Sequence, residues 1–280
     1  MGGDVIGNIN YFCSTKDGCP PCVIPYSIPT MQRSNIEYAC VPMTIHDLRG
    51  KEKSVDLDKN AFEILEYNGS IQEEFEEGSE AQQTYYKEIS NILKQRLNAS
   101  KVIIYNFAFR SRGVLQPNEQ YDDTHREPAL YPHVDIDPSA VLDLVEKILG
   151  KDESERAVKN RIQIINVWRP LRTNPITKNS LTLCDYRSVN ADKDVHSYTV
   201  RGAKLHTAGY LMSRDAQDVH RWYYLSQMQP DEMFVFKMTD TKPDVARFAC
   251  HTAFINENES TPSVKQTSLE IRCLILYGES

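Results

Sequence analysis

Ile162-Gln-Ile-Ile-Asn-Val-Trp168 is a short run of β-branched and aromatic residues, the composition of a strand. Leu181–Tyr186, Met233–Met238 and Ser268–Tyr277 read the same way, so the second half of the chain is rich in strands. Upstream, Val102–Phe109 is another apolar run of strand type. Gln82–Leu97 has a different period: Tyr85, Ile89, Ile92, Leu93 and Leu97 recur every three to four residues and predict a helix. A second helix opens at Asp137-Pro138-Ser139, where Asp137 can cap and Pro138 suits the first helical position. Ser213–Leu225 is expected to be a third, with Ser213 as cap. Strands without regular alternation with helices argue against a parallel, doubly wound sheet. They fit a mainly β fold with peripheral helices, a double-sheet barrel. No glycine-rich nucleotide fingerprint occurs, which removes support for nucleotide and nicotinamide cofactors.

The chain has 280 residues, 40% hydrophobic and 25% charged, which excludes a disordered polymer. It is expected to form a single domain over 1–280, with an irregular N-terminal arm over about 1–60; residues 8–50 are rich in Pro, Asn, Ser and Cys. A net charge of −7 argues against nucleic-acid binding, which draws on basic surface. The longest apolar runs fall far short of the ~20 residues of a membrane helix. Residues Met1–Tyr11 carry neither the basic nor the apolar region of a secretory signal, so a cytoplasmic protein is expected. Seven cysteines, an odd number, suit free thiols; Cys19-Pro-Pro-Cys22 lacks the second pair that a zinc site wants.

The sharpest chemical feature is Tyr131-Pro-His133-Val-Asp135. Pro132 biases the chain to an extended form, and residues i and i+2 of an extended segment share a face. One imidazole and one carboxylate on one face are two thirds of a 2-His-1-carboxylate set, which holds ferrous iron with positions left open. The same spacing also suits a hydrogen-bonded loop pair. A third ligand must come from elsewhere; His251, His206 and His220 are candidates, His220 on the expected third helix. His251 lies between strand-like segments, and Arg272 lies on the terminal strand, where its fork could bind a dicarboxylate.

Blocks along nearly the whole chain resemble the fungal iron(II)/2-oxoglutarate-dependent hydroxylase/desaturase family, often called AsaB-like. They are Asn10-Tyr-Phe12, Thr44-Ile-His-Asp-Leu-Arg-Gly50, His133-Val-Asp135, Ile165-Asn-Val-Trp-Arg-Pro-Leu171, Arg221-Trp-Tyr-Tyr-Leu-Ser226, His251-Thr-Ala-Phe254 and Ser268-Leu-Glu-Ile-Arg272. The family includes a gibberellin desaturase and the endoperoxide-forming enzyme of novofumigatonin biosynthesis. The resemblance implies a jelly-roll core, iron(II) on His133, Asp135 and His251, 2-oxoglutarate and O2 as co-substrates, and Arg272 as the 2-oxoglutarate anchor. Arg169 is a second candidate anchor, its other reading being a structural bridge to Glu270. The tyrosine-rich stretch Gln116–Pro132 is expected to be a substrate lid, carrying Tyr121 and Tyr131. The implied substrate is a bulky apolar terpenoid or polyketide, to be hydroxylated, desaturated or converted to an endoperoxide. The rivals are a zinc hydrolase built on the same three residues and a non-catalytic jelly-roll binding protein.

Overall fold

The computed structural model describes residues 3–113, 120–172, 175–202, 207–260 and 262–278. Its strands and helices begin with β1 (Val5–Thr15), β2 (Cys22–Val23), β3 (Ile36–Asp47), β4 (Phe62–Glu66), α1 (Glu80–Leu97) and β5 (Lys101–Arg112). They continue with β6 (His125–Arg126), β7 (His133–Val134), α2 (Pro138–Leu149), α3 (Lys151–Ala157), β8 (Ile162–Pro170) and β9 (Leu181–Cys184). The last are β10 (Val195–Val200), β11 (Ala208–Met212), β12 (Trp222–Tyr224), β13 (Glu232–Asp240), β14 (His251–Ala253) and β15 (Gln266–Leu276).

The strands make two sheets, one in the order β1-β3-β12-β9-β14-β7-β11-β10-β2 and the other β4-β13-β8-β15-β5-β6. Trp168, Leu183, Phe236 and Leu274 belong to the larger core cluster, which both sheets feed. The fold is mainly β, as the strand pattern implied, with the jelly-roll core that the family resemblance implied. The six-stranded sheet is buried on its other face as well: α1 lays Tyr85, Ile89 and Leu93 against Phe107, Phe109, Val167 and Ile271. Burial on both faces explains the nearly unbroken apolar run of β8, all nine residues of which are buried. Each large aliphatic side chain sealed there contributes about 1.5–3 kcal/mol.

The first two helices begin where the sequence places their caps. Ser79 accepts a hydrogen bond from the Gln82 amide at the start of α1, and Asp137 accepts one from the Ser139 amide with Pro138 opening α2. Among the described residues no helix is long and apolar enough to cross a membrane. The cysteines are all free thiols.

Two expectations are corrected. Residues 5–47 are not an irregular arm: β1 and β3 pair antiparallel from Val5↔Ile45 to Thr15↔Ile36. Ile9 and Tyr11 on one strand, and Val41, Met43 and Ile45 on the other, alternate into the core. This period of two outweighs the local Pro, Asn and Cys content. Ser213–Leu225 is not a helix either. Arg214 and Asp218 pair at helical spacing, but Asp218 has φ +53°, a left-handed turn that ends any helical run. The chain then extends as β12, parallel to β3 and antiparallel to β9, burying Trp222 and Tyr224.

Candidate active site

β14 pairs with β7 in the register His251↔His133, so the two imidazoles are cross-strand neighbours with ring centroids 4.3 Å apart. Asp135 lies just beyond β7 and shares the face of His133. One ligand atom from each of His133, Asp135 and His251 lies within 4.8 Å of the others. His133 Nε2 is 3.7 Å from Asp135 Oδ1, and His251 Nε2 is 3.7 Å from Asp135 Oδ2.

The backbone fixes what those nitrogens offer. His133 Nδ1 is 2.9 Å from the Tyr131 carbonyl, and His251 Nδ1 is 3.2 Å from the Ala249 carbonyl. A carbonyl only accepts, so Nδ1 carries the proton in each ring and Nε2 presents a lone pair. Burial, with His251 beside it, pushes the His133 pKa down to about 3, and burial likewise lowers that of His251. Both rings are therefore neutral near pH 7. Two lone pairs thus face a carboxylate at van der Waals range with no proton between them. His251 Nε2 is buried without any hydrogen-bond partner. Three acceptors converging on one point are the donor set of a cation.

Asp135 itself is tightly held. Its Oδ1 accepts from Arg272 Nη2 at 2.6 Å and its Oδ2 from Asn166 Nδ2 at 2.6 Å. Burial pulls its pKa up, but the Arg272 guanidinium outweighs that and keeps the carboxyl ionised, well below the usual range. Arg272 also donates to Glu270 at 3.2 Å, and Arg110 lies 3.8 Å from the same carboxylate. Arg112 completes the cluster. It is buried, donates to the Asn179 and Arg110 carbonyls and to Ser268 Oγ, and has no carboxylate within salt-bridge distance among the described residues. Burial, with Arg110 adjacent, pushes its guanidinium down to about 9. A small cavity lies against His133 and His251, walled by Trp168, Leu181, Ala253, Arg110 and Arg112. Three guanidiniums here face two carboxylates, in a chain whose net charge is −7. On its other side the triad opens into a cleft of about 510 Å³, also lined by Tyr131 and Arg272.

Arg169 is not brought to this site. On β8, Asn166 and Trp168 face the interior, so Arg169 points to the opposite side of the sheet. There it is fully buried over the Tyr67 ring, 3.9 Å from its centroid, and donates to the Ile71 and Pro230 carbonyls and the Gln72 side chain. The bridge to Glu270 does not form either, because Glu270 faces Arg110 and Arg272. We expect Arg169→Met to leave the affinity for 2-oxoglutarate unchanged. It should destabilise the fold by about 2–4 kcal/mol, because several buried acceptors lose their donor. Thermal melting and a 2-oxoglutarate titration of the same variant check both halves.

Tyr131 stacks on Tyr38 at 5.3 Å and lies 5.1 Å from the His133 ring. Tyr121 is half-buried and is not among the side chains lining the cleft. The lid stretch from Gln116 to Glu119 lies outside the described residues, as does His206. The part from 120 onward is pinned along the wall: Ala253 N donates to the Ala129 carbonyl at 2.7 Å and Arg110 to that of Glu127 at 2.8 Å. His220 lies away from the triad, buried between Tyr11 and Asp194.

A jelly roll that aims two imidazole lone pairs and one carboxylate at a common point has the donor set of the mononuclear non-haem iron oxygenases. Residues 9–276 match the family model described as an oxidoreductase/YMDC permease-like domain, and the chain belongs to that family, which is the fungal hydroxylase/desaturase family of iron- and 2-oxoglutarate-dependent oxygenases. The hydroxylase/desaturase efuI of Hormonema carpetanum is 29% identical, over 97% of this chain and 94% of its own length. The alpha-ketoglutarate-dependent dioxygenase tstK of Talaromyces stipitatus is 25% identical over 96% of both. Among solved structures, an iron and alpha-ketoglutarate-dependent endoperoxidase, NvfI, superposes with a TM-score of 0.82 over 100% of this chain and 99% of its own, at 21% identity.

Proposed function

We propose that the chain binds iron(II) through His133 Nε2, His251 Nε2 and an Asp135 oxygen, and oxidises an apolar small molecule at the expense of 2-oxoglutarate and O2. The observation that carries this reading is the convergence of two neutral imidazole lone pairs on a carboxylate with no proton to share. Iron(II) with 2-oxoglutarate and O2 supplies oxidative decarboxylation to succinate and CO2, and with it the power to remove hydrogen from an unactivated carbon.

The protein's own side chains do the positioning. Arg272 and Asn166 hold the two oxygens of Asp135, fixing the direction of its carboxylate. The guanidinium of Arg272 is thereby committed to Asp135 and Glu270, which favours another anchor for the distal carboxylate of 2-oxoglutarate. We assign that role to Arg112, with the Ser268 hydroxyl 2.9 Å from it; this guanidinium has no carboxylate within salt-bridge distance among the described residues and lines the cavity against the imidazoles. Trp168, Leu181 and Ala253 supply the apolar part of that cavity's wall. The cleft on the far side receives the organic substrate, and Tyr131 forms part of its wall. The reading extends to a terpenoid or polyketide intermediate of fungal secondary metabolism, met in the cytoplasm, and to hydroxylation, desaturation or endoperoxide formation as its outcome. The names of the relatives support that range.

Anaerobic reconstitution tests the reading. Ferrous iron followed by 2-oxoglutarate should give a weak visible charge-transfer band, which zinc, lacking redox chemistry, does not give. With O2 admitted, succinate should form only when iron is present. No band and no iron-dependent succinate would leave the zinc hydrolase or the binding module in its place.

A further inference from the structure

Two guanidiniums near the triad, the buried Arg112 and the half-buried Arg126, have no carboxylate within salt-bridge distance among the described residues, and they line adjacent cavities. Arg112 lines the small cavity behind the imidazoles, whereas Arg126 lines the open cleft that holds His133, Asp135 and Arg272. Arg126 sits on β6, next to the described part of the lid. Its Nε donates to the Asp123 carbonyl at 2.8 Å. No ion pair or other hydrogen bond engages its terminal nitrogens among the described residues. Of the acids lining the cleft, Asp123 accepts from the amides of Tyr26 and Ser27, Asp135 is held by Arg272 and Asn166, and Glu127 makes no ion pair with Arg126. Arg110 and Arg272 are spoken for by Glu270 and Asp135. Burial, with Arg272 and Arg110 close by, lowers the pKa of Arg126, the mark of a cation short of counter-charge.

The rest of the cleft is amphipathic. Tyr26, Tyr38, Tyr131 and Tyr198 present ring faces with hydroxyl tips, and Ile24 and Leu130 add aliphatic wall. Burial raises the pKa of Tyr38, Tyr131 and Tyr198, so these phenols stay neutral hydrogen-bond donors. Such walls suit a ring-bearing apolar body, and one spare planar fork suits one planar monoanion.

We propose that the organic substrate is a carboxylic acid: a ring-bearing apolar molecule whose carboxylate pairs with Arg126 while its reactive carbon faces the triad. This rests on the oxygenase reading above and specifies its substrate class. Arg33, which also lines the cleft without an ion pair among the described residues, is engaged by the Pro25 and Ile28 carbonyls and lies over the Tyr26 ring, so Arg126 offers the one fork with unengaged terminal nitrogens there, which favours a carboxylate over a phosphate dianion. The pairing also divides the labour between the cations: Arg112 takes the diacid co-substrate and Arg126 the substrate, so neither anion competes for the other's anchor.

The test uses matched acids and primary amides, abietic acid with its amide and mycophenolic acid with its amide. Each is titrated calorimetrically into the full chain loaded anaerobically with iron and 2-oxoglutarate. At least one acid should bind ten-fold or more tightly than its amide. Arg126→Gln should bring that ratio near one, and Arg126→Lys should keep most of it. The 2-oxoglutarate concentration that half-forms the charge-transfer band should be the same in all three proteins. Ratios near one for both pairs in the parent chain, or a preference that survives in Arg126→Gln, overturn the proposal. So does a band midpoint that rises in Arg126→Gln, since Arg126 would then be the co-substrate anchor. The same titrations on the metal-free chain separate the two readings: an acid preference there that tracks Arg126, in a protein that gives no band when loaded with iron and 2-oxoglutarate, upholds the carboxylate site and sinks the iron assignment.

Discussion

Asp135→Asn should empty the protein of iron without unfolding it. The carboxylate is the only anionic donor in the triad, and a neutral amide in its place offers a metal far less. The fold tolerates the exchange because both neighbours can be satisfied. The amide oxygen can still accept from Arg272, and the amide NH2 faces Asn166. Asn166 can rotate to meet it with its own oxygen, which is buried and has no partner in the present arrangement. Asp135→Ala differs: it leaves Arg272 with Glu270 alone and Asn166 with nothing, and removing one member of a buried pair costs about 3–5 kcal/mol. The expected pattern is therefore loss of iron and of succinate production to background in both variants, with a lowered Tm only in the alanine variant. Metal analysis after anaerobic loading and a thermal melt measure it. Stoichiometric iron in Asp135→Asn would end the ligand assignment.

Much of this centre can be read from residues close together in sequence. Pro132 forces an extended segment, and His133 and Asp135 then share a face whatever the rest of the fold does. His251 cannot be placed that way. Its position depends on β14 entering the sheet between β7 and β9, a pairing between distant segments that no local pattern encodes. Arg110 and Arg112 escape a local reading for a different reason. Val102–Phe109 looks like a complete strand because Arg110 and Arg112 are polar, yet β5 continues through both and turns them inward. Polar residues at alternate positions of an apolar strand, such as Asn166 on β8 and Glu270 and Arg272 on β15, are a signal in their own right. Buried polar groups need partners, so they gather where chemistry is done. The same parity argument could have removed Arg169, which is one residue out of phase with Asn166 and Trp168. The N-terminal hairpin was hidden because its prolines and cysteines suggested a loop while Ile9, Tyr11, Val41, Met43 and Ile45 kept a strand's alternation.

Arg112→Met should abolish useful 2-oxoglutarate binding while leaving the unliganded protein at least as heat-stable as the parent. The two effects have opposite signs because this guanidinium is held in the free protein with no carboxylate within salt-bridge distance among the described residues. Its depressed pKa means that burial disfavours its charged form, so folding gains when the charge is removed. The hydrogen bonds lost are partly replaceable: Ser268 Oγ already lies 3.4 Å from the Arg110 carbonyl that Arg112 serves. Methionine also fills most of the space against Trp168, over which the guanidinium lies at 5.6 Å. With the diacid bound, the balance reverses. Truncating one partner of a buried charge pair costs roughly 2–5 kcal/mol, or about 30- to 5,000-fold in Kd. Saturating 2-oxoglutarate should raise the Tm of the anaerobic iron-loaded parent and leave that of Arg112→Met unmoved, because a ligand stabilises only in proportion to its occupancy. Arg272→Met reverses the pattern: it strips Asp135 of its partner, lowers the Tm of the metal-free protein, and weakens iron binding before it affects 2-oxoglutarate. If instead Arg112→Met binds 2-oxoglutarate normally and Arg272→Met does not, the terminal-strand arginine is the anchor, and the cation behind the imidazoles serves only the fold.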